Sequence, residues 1–385
     1  MMITRSKKNK TTFTTNPQTS SSFDGLPLDL VIEILGRFPI KSIARFLLVS
    51  KLWATIIHSR DFIESFPLGS CSSQPRFLIA FSGLDIKKGT HYAKEDWYFF
   101  SSSFLSRSSC SLPPVYRSHY VKGLLCIGSG REQFIVNPTS GKSIALPRVR
   151  TRRRTTKSFF GYDQVNDEYK VLCLTEALSG LHAEEPSSQH QVFTLGAKKK
   201  SWRIVECSIP HRPCSSGVCI DGFIYYAAKT GSQRSLMRFD SRSEEFHLIT
   251  RVPTEIVLSK DQYSHAMIIN YQGKVAIPTK TSTYTFDVWV MDQNAEERKW
   301  LKKLTFSVEP WKSACRFIYF KGITQTGEFI MAPYCYDSEN VYVALYNHYT
   351  DTLRKVNVQV SADFNFKPNL PGIFFSDYIE CVRFL

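Results

Sequence analysis

Three short stretches of this sequence carry residue types that could do chemistry. Ser140-Gly141-Lys142-Ser143 has the ending of a phosphate-binding loop, in which backbone amides and a lysine cradle an anion. The glycine such a loop needs five residues before Gly141 is Val136, and no helix-forming run follows, so a hairpin turn is expected here. Cys207, His211, Cys214 and Cys219 offer sulfur and nitrogen ligands, but the spacing C-x3-H-x2-C-x4-C lacks the paired short loops of a structural zinc site. They read as buried strand cysteines beside a loop histidine, and neither a metal nor another cofactor is expected. The run Arg148 to Lys157 carries six basic and no acidic residues, which makes Arg150, Arg152, Arg153 and Arg154 candidates for holding a polyanion. No aromatic residues interleave with these arginines, which weakens a single-strand-binding reading, and a solvated loop is the plainer meaning. The sequence has no HExxH, no GxSxG and no recognisable copper-ligand set, so no catalytic residue is assigned and no enzyme is expected.

The elements that would position such residues begin with composition. The 385-residue chain is 43% hydrophobic and 22% charged, the balance of a globular protein with enough apolar material for a large core. Its formal charge of +15 is patchy, concentrated in Arg5 to Lys10, in the arginine run and in Lys198 to Lys200. Ten scattered cysteines without a CxxC pair read as reduced thiols, which points to cytoplasm or nucleus. No apolar run is long enough for a bilayer, so no membrane contact is expected. Residues 1–23, rich in Ser, Thr, Asn and Lys, read as a disordered basic tail.

From Leu26 the pattern becomes helical. Leu30, Val31, Ile34, Leu35 and Phe38 recur at the spacing of one helix face, with Pro27 at the first helical position and Pro39 as the stop. Ser42, Ser50 and Ser59 are expected to cap the short helices Ile43 to Val49, Lys51 to Ile57 and Arg60 to Phe66. Between Leu26 and Arg60, 20 of 35 residues are apolar, more than such small helices can cover by packing on one another. Either a partner covers the surplus or the following domain does.

After Pro67 the texture is short β-branched and aromatic strands: Phe77 to Phe81, Trp97 to Phe100, Gly123 to Ile127, Phe134 to Asn137, Tyr169 to Leu174, Phe223 to Ala227, Val288 to Asp292 and Val341 to Asn347. Glycine-turned strands open at Gly123, Gly222, Gly273 and Gly327, which are 99, 51 and 54 residues apart. A period near fifty fits kelch-type blades if Tyr169 to Leu174 marks a unit inside the first interval. About six blades are expected, with the final strand Tyr378 to Leu385 joining the first. An irregular β-sandwich is the competing arrangement.

Leu26-Pro27, Asp29, Glu33-Ile34-Leu35, Arg37, Pro39, Lys41-Ser42, Arg45, Val49-Ser50-Lys51 and Trp53 together resemble the F-box pattern, with Leu48 where a cysteine is usual. Gly123-Leu-Leu-Cys, Asn137-Pro-Thr-Ser-Gly, Glu168-Tyr-Lys-Val-Leu-Cys, Lys200-Ser-Trp-Arg and Cys219-Ile-Asp-Gly-Phe-Ile-Tyr-Tyr are similar to the F-box-associated domain of plants, third type. The resemblance covers residues 24 to about 300 well and is looser beyond. It implies a small helical F-box over 24–70 and an all-β, kelch-like propeller over 71–385, an α+β chain divided by domain. It also implies that the F-box binds a Skp-family adaptor on a cullin–RING scaffold while the β domain holds a protein to be ubiquitinated. By matched position, Leu26, Pro27, Ile34, Leu35, Pro39, Leu48, Val49 and Trp53 become the adaptor face or its support. The chain is then expected to be the substrate-recognition subunit of an SCF-type ubiquitin ligase; the alternative is a basic propeller that binds RNA or another polyanion.

Overall fold

The computed structural model describes residues 26–66, 77–83, 95–101, 108–112, 117–176, 187–256, 267–292, 298–313, 318–324, 326–333, 335–336, 341–358, 370–376 and 378–383. The tail expected over residues 1–23 lies outside them. The chain divides into two compact units, Met1–Gly69 and Ser70–Leu385.

The first unit holds four helices, α1 Leu28–Gly36, α2 Ile40–Phe46, α3 Lys51–Ile57 and α4 Arg60–Ser65. Pro27 and Pro39 each sit one position before a helix with extended ψ of 141° and 145°. Pro27 is thus the cap and not the first helical residue. At Pro39 the carbonyl takes the amides of Ser42 (2.8 Å) and Ile43 (3.2 Å), so α2 starts before Ser42. The fixed φ of proline pre-forms that start and leaves the serine no capping role. Ser50 and Ser59 do cap, accepting from the amides of Trp53 (3.2 Å) and Phe62 (3.3 Å). Ile32, Leu35, Ile43, Ile57 and Phe62 make the small interior.

In the second unit the described strands form six antiparallel groups, the first of five strands counting Cys335–Tyr336 and the others of four, the third and fourth sharing one long strand. The first contains Phe77–Gly83, Glu95–Ser101 and Ser108–Leu112, to which Leu370–Ser376 is added at the free edge of Phe77–Gly83. The second is Arg117–Val121, Leu124–Ser129, Glu132–Val136 and Ser143–Ala145. The third is Arg154–Asp163, Glu168–Glu176, Ser187–Thr194 and the start of Arg203–Ile220; the remainder of that long strand opens the fourth, with Phe223–Thr230, Gln233–Asp240 and Phe246–Arg251. Ile269–Tyr271, Lys274–Lys280, Thr285–Met291 and Trp300–Ser307 form the fifth. Ile318–Ile323, Phe329–Pro333, Tyr342–Asn347 and Thr352–Asn357 form the sixth. The expected last strand, Tyr378 to Leu385, is not a strand where it is described; the added strand ends earlier, at Ser376. Tyr378, Cys381 and Val382 are instead buried by their side chains.

The turns explain the repeat. Lys122-Gly123, Asp221-Gly222 and Gln272-Gly273 all have positive φ at both residues, the two-residue hairpin whose twist matches that of the strands it joins. Further along, Asn137, Asp240 and Asn347 each accept on Oδ1 the amides two and three residues ahead. The Ser140–Ser143 stretch therefore folds as a hairpin turn and no helix follows it.

Asn137 does more than turn the chain. Its Nδ2 donates to the carbonyls of Cys381 (2.9 Å) and Arg383 (2.6 Å), tying the end of the chain to the second group of strands. It is buried, so Asn137→Ala leaves two carbonyls and two amides without this partner. The variant is expected to lose about 2–6 kcal/mol in urea unfolding, since each of the two stranded carbonyls costs about 1–3 kcal/mol. A loss under about 0.5 kcal/mol would show that the tie carries no weight.

Candidate functional site

The helical unit has two apolar faces where the sequence periodicity suggested one. Val31, Ile32 and Leu35 turn inward, while Leu26, Leu30, Ile34 and Phe38, four residues apart, stay exposed along α1. A second exposed set follows α2: Leu48 is 88% accessible, Val49 64% and Leu52 57%. Three rings join the sets, Phe38 edge-on to Phe46 at 5.4 Å and Phe46 against Trp53 at 5.1 Å. With Leu28, eight of the fourteen large hydrophobic side chains exposed among the described residues lie between Leu26 and Leu52. Such clustering contrasts with the scattered single hydrophobics of an ordinary surface.

The expected adaptor residues separate into two groups. Leu26, Pro27, Ile34, Pro39, Leu48 and Val49 are exposed, and Trp53 is half-buried on Phe46. Leu35 is 1% accessible, so it supports the face from inside and cannot touch a partner. Leu28, Leu30, Phe38 and Leu52 are also exposed, and they were not among the expected residues. The four-residue step from Ile34 to Leu30 and Phe38, and from Leu48 to Leu52, was the available signal.

The arginine run is less of a site. Arg148 is paired with Glu132 (2.6 Å), Arg150 and Arg152 are exposed, and Arg153 is half-buried. Arg154 begins a strand, and its side chain lies outside the described residues. The backbone carbonyl of Arg150 accepts from Gln191 Nε2 (2.9 Å), which pins the run to the third group of strands.

A cavity of about 700 Å³ is lined by residues from the leading strand of five groups and from the added strand, among them His119, Lys157, Val218, Ile269, Tyr319 and Phe374. Lys157 is not free within it, because its ammonium donates to the Ser215 carbonyl.

Of the imagined zinc set, Cys207 and His211 come together, with His190 as the third member; Cys214 and Cys219 fall elsewhere on the strand. One ligand atom from each of the three lies within 4.8 Å of the others, and all three residues are buried. Burial, helped by the neighbouring His211 and Arg153, holds His190 down at about 3, so its imidazole is neutral. Burial likewise lowers His211 and raises the Cys207 thiol. No disulfide engages Cys126, Cys173, Cys207, Cys214, Cys219 or Cys381.

The chain thus joins a small helical unit with an exposed apolar face to a large β domain. The chain belongs to the F-box proteins that carry an F-box-associated domain: residues 23–65 match the F-box domain and residues 76–379 the F-box associated beta propeller domain. Relatives come from Arabidopsis thaliana. A candidate F-box protein, At5g15660, is 50% identical over 392 residues, covering 98% of this chain and 87% of its own. The F-box protein At4g11590 is 47% identical over 384 residues, covering 94% of each chain. A solved chain of the nidogen–laminin complex covers 78% of this chain and 97% of its own at 8% identity with a TM-score of 0.41, too distant to bear on function. F-box adaptors are non-catalytic components of ubiquitin ligases, and the chain is not an enzyme. No described helix is long and apolar enough to cross a membrane.

Proposed function

We propose that this chain is the substrate-recognition subunit of an SCF-type cullin–RING ubiquitin ligase, with a Skp-family adaptor seated on the exposed face of the four helices. The observation that carries the reading is the concentration of uncovered Leu, Ile, Val and Phe side chains between Leu26 and Leu52. A stable interface buries about 1,200–2,000 Å² in total, which a face of this kind supplies from its apolar anchors. Mixing the full chain with a purified Skp-family adaptor and separating by gel filtration tests it: a complex is expected, and two independent peaks at micromolar concentration would overturn the reading.

On this reading the β domain is a six-bladed propeller that presents the target protein. The six antiparallel groups of four or five described strands support it. So do six apolar clusters that each draw on two neighbouring groups, including first with sixth (Phe81, Val343) and first with second (Leu78, Ile127). The ligase chemistry is done by other subunits, and this chain contributes proximity. Unpaired cysteines support work in the cytoplasm or nucleus, where thiols stay reduced.

A further inference from the structure

We propose that His190, Cys207 and His211 form a zinc site that holds together the irregular stretch of strand between the third and fourth groups. The ladder between Ser187–Thr194 and Arg203–Ile220 breaks at this point: Gln189 pairs with Glu206, but Ser187 pairs with His211. Residues 207–210 therefore bulge out of register, and side chains must fix what backbone bonds do not.

What fixes them is an incomplete polar set. The carbonyl of Ile209 accepts both from the Cys207 thiol (3.2 Å) and from His211 Nδ1 (2.8 Å), while His211 Nε2 meets the Tyr226 hydroxyl at 2.7 Å. At His190, 1% accessible, neither ring nitrogen makes a well-formed hydrogen bond, the Gln189 backbone being a loose partner only, and Phe246 packs on its ring at 5.0 Å. A buried imidazole whose nitrogens are so poorly satisfied is out of place in an apolar cluster and in place beside a cation.

The spacing fits the ion. Cys207 Sγ and His211 Nδ1 are 3.8 Å apart. Tetrahedral zinc, with its sulfur at about 2.3 Å and nitrogen at about 2.0–2.1 Å, holds such a pair about 3.6 Å apart. On binding, the Cys207 thiol loses its proton to solvent and forms the Zn–S bond. The Ile209 carbonyl, which otherwise accepts from both groups, turns away; the His211 proton passes by way of solvent from Nδ1 to Nε2, which donates to the Tyr226 oxygen as the hydroxyl proton rotates off it, and the Nδ1 lone pair is free for the metal. His190 contributes a lone pair from one nitrogen. A crevice that reaches Cys207, edged by Glu206, Glu244 and Glu245, offers a way in for a cation and for the water that completes four ligands.

The test uses the full chain, stripped with a chelator and reloaded with zinc or cobalt(II) alone. About one equivalent of zinc is expected to survive dialysis and to raise the melting temperature. Cobalt is expected to give a thiolate charge-transfer band and the intense visible bands of four-coordination. Cys207→Ser and His190→Gln should lose the ion, with circular dichroism reporting whether each still folds; Cys214→Ser should keep it. Absence of the cobalt bands in the wild-type chain overturns the site without recourse to any variant. Retention of zinc by folded Cys207→Ser, or its loss from folded Cys214→Ser, overturns it equally.

Discussion

The double variant Leu48→Asp, Leu52→Asp is expected to abolish binding of a Skp-family adaptor while leaving the chain folded. Both side chains are mostly exposed, 88% and 57%, so folding asks nothing of their apolar character. Binding does. A carboxylate placed unpaired in a dry interface costs at least about 2 kcal/mol, so the pair removes about 4 kcal/mol or more. At about 1.4 kcal/mol per decade that is a loss of about a thousand-fold in affinity. Isothermal titration calorimetry would read it, with unchanged far-ultraviolet dichroism and melting as the control. Affinity within about threefold of wild type, less than about 0.7 kcal/mol, would exclude these residues from the interface. Leu35→Asp is expected to lose binding for a different reason, because a charge at that buried position unfolds the helical unit itself.

The second large effect is expected from ending the chain after residue 369. Leu370–Ser376 pairs with Phe77–Gly83 from Phe77↔Ser376 to Phe81↔Gly372, and its other edge pairs with Cys335–Tyr336. It is an interior strand of its sheet although it comes last in the chain. Phe77, Leu78, Ile79, Ala80 and Phe81 are at most 1% accessible, so removal opens a row of backbone groups in the middle of a core. Phe375 and Tyr378 leave the same cluster, each worth about 1.5–3 kcal/mol of burial. Together with the unpaired backbone groups this meets the whole of a typical stability of about 5–15 kcal/mol. The shortened chain is expected to be insoluble or to melt without a cooperative transition. A soluble product with the wild-type melting point would mean that the sheet does not need its last strand.

Local rules were legible in the sequence where neighbouring residues decide the outcome. The serine caps at Ser50 and Ser59, the glycine turns and the alternation of short strands follow from backbone sterics and short-range bonding. The cap assigned to Ser42 failed because Pro39, three residues earlier, starts the helix first. The F-box residues were legible as a motif, but which of them are exposed was not: apolar character says only that a residue avoids water, and Leu35 and Leu48 look alike until the helices pack.

The family of the chain was legible as a resemblance carried by residues at short spacing, whereas the spacing by itself gave only small helices with surplus apolar surface. Tertiary structure alone decided which leucines face outward, and that Leu370–Ser376 returns to the first group of strands. It alone decided that the histidine beside Cys207 and His211 is His190. Pairings across long loops have no local signature, since each is selected by the burial it completes at the far end of the chain.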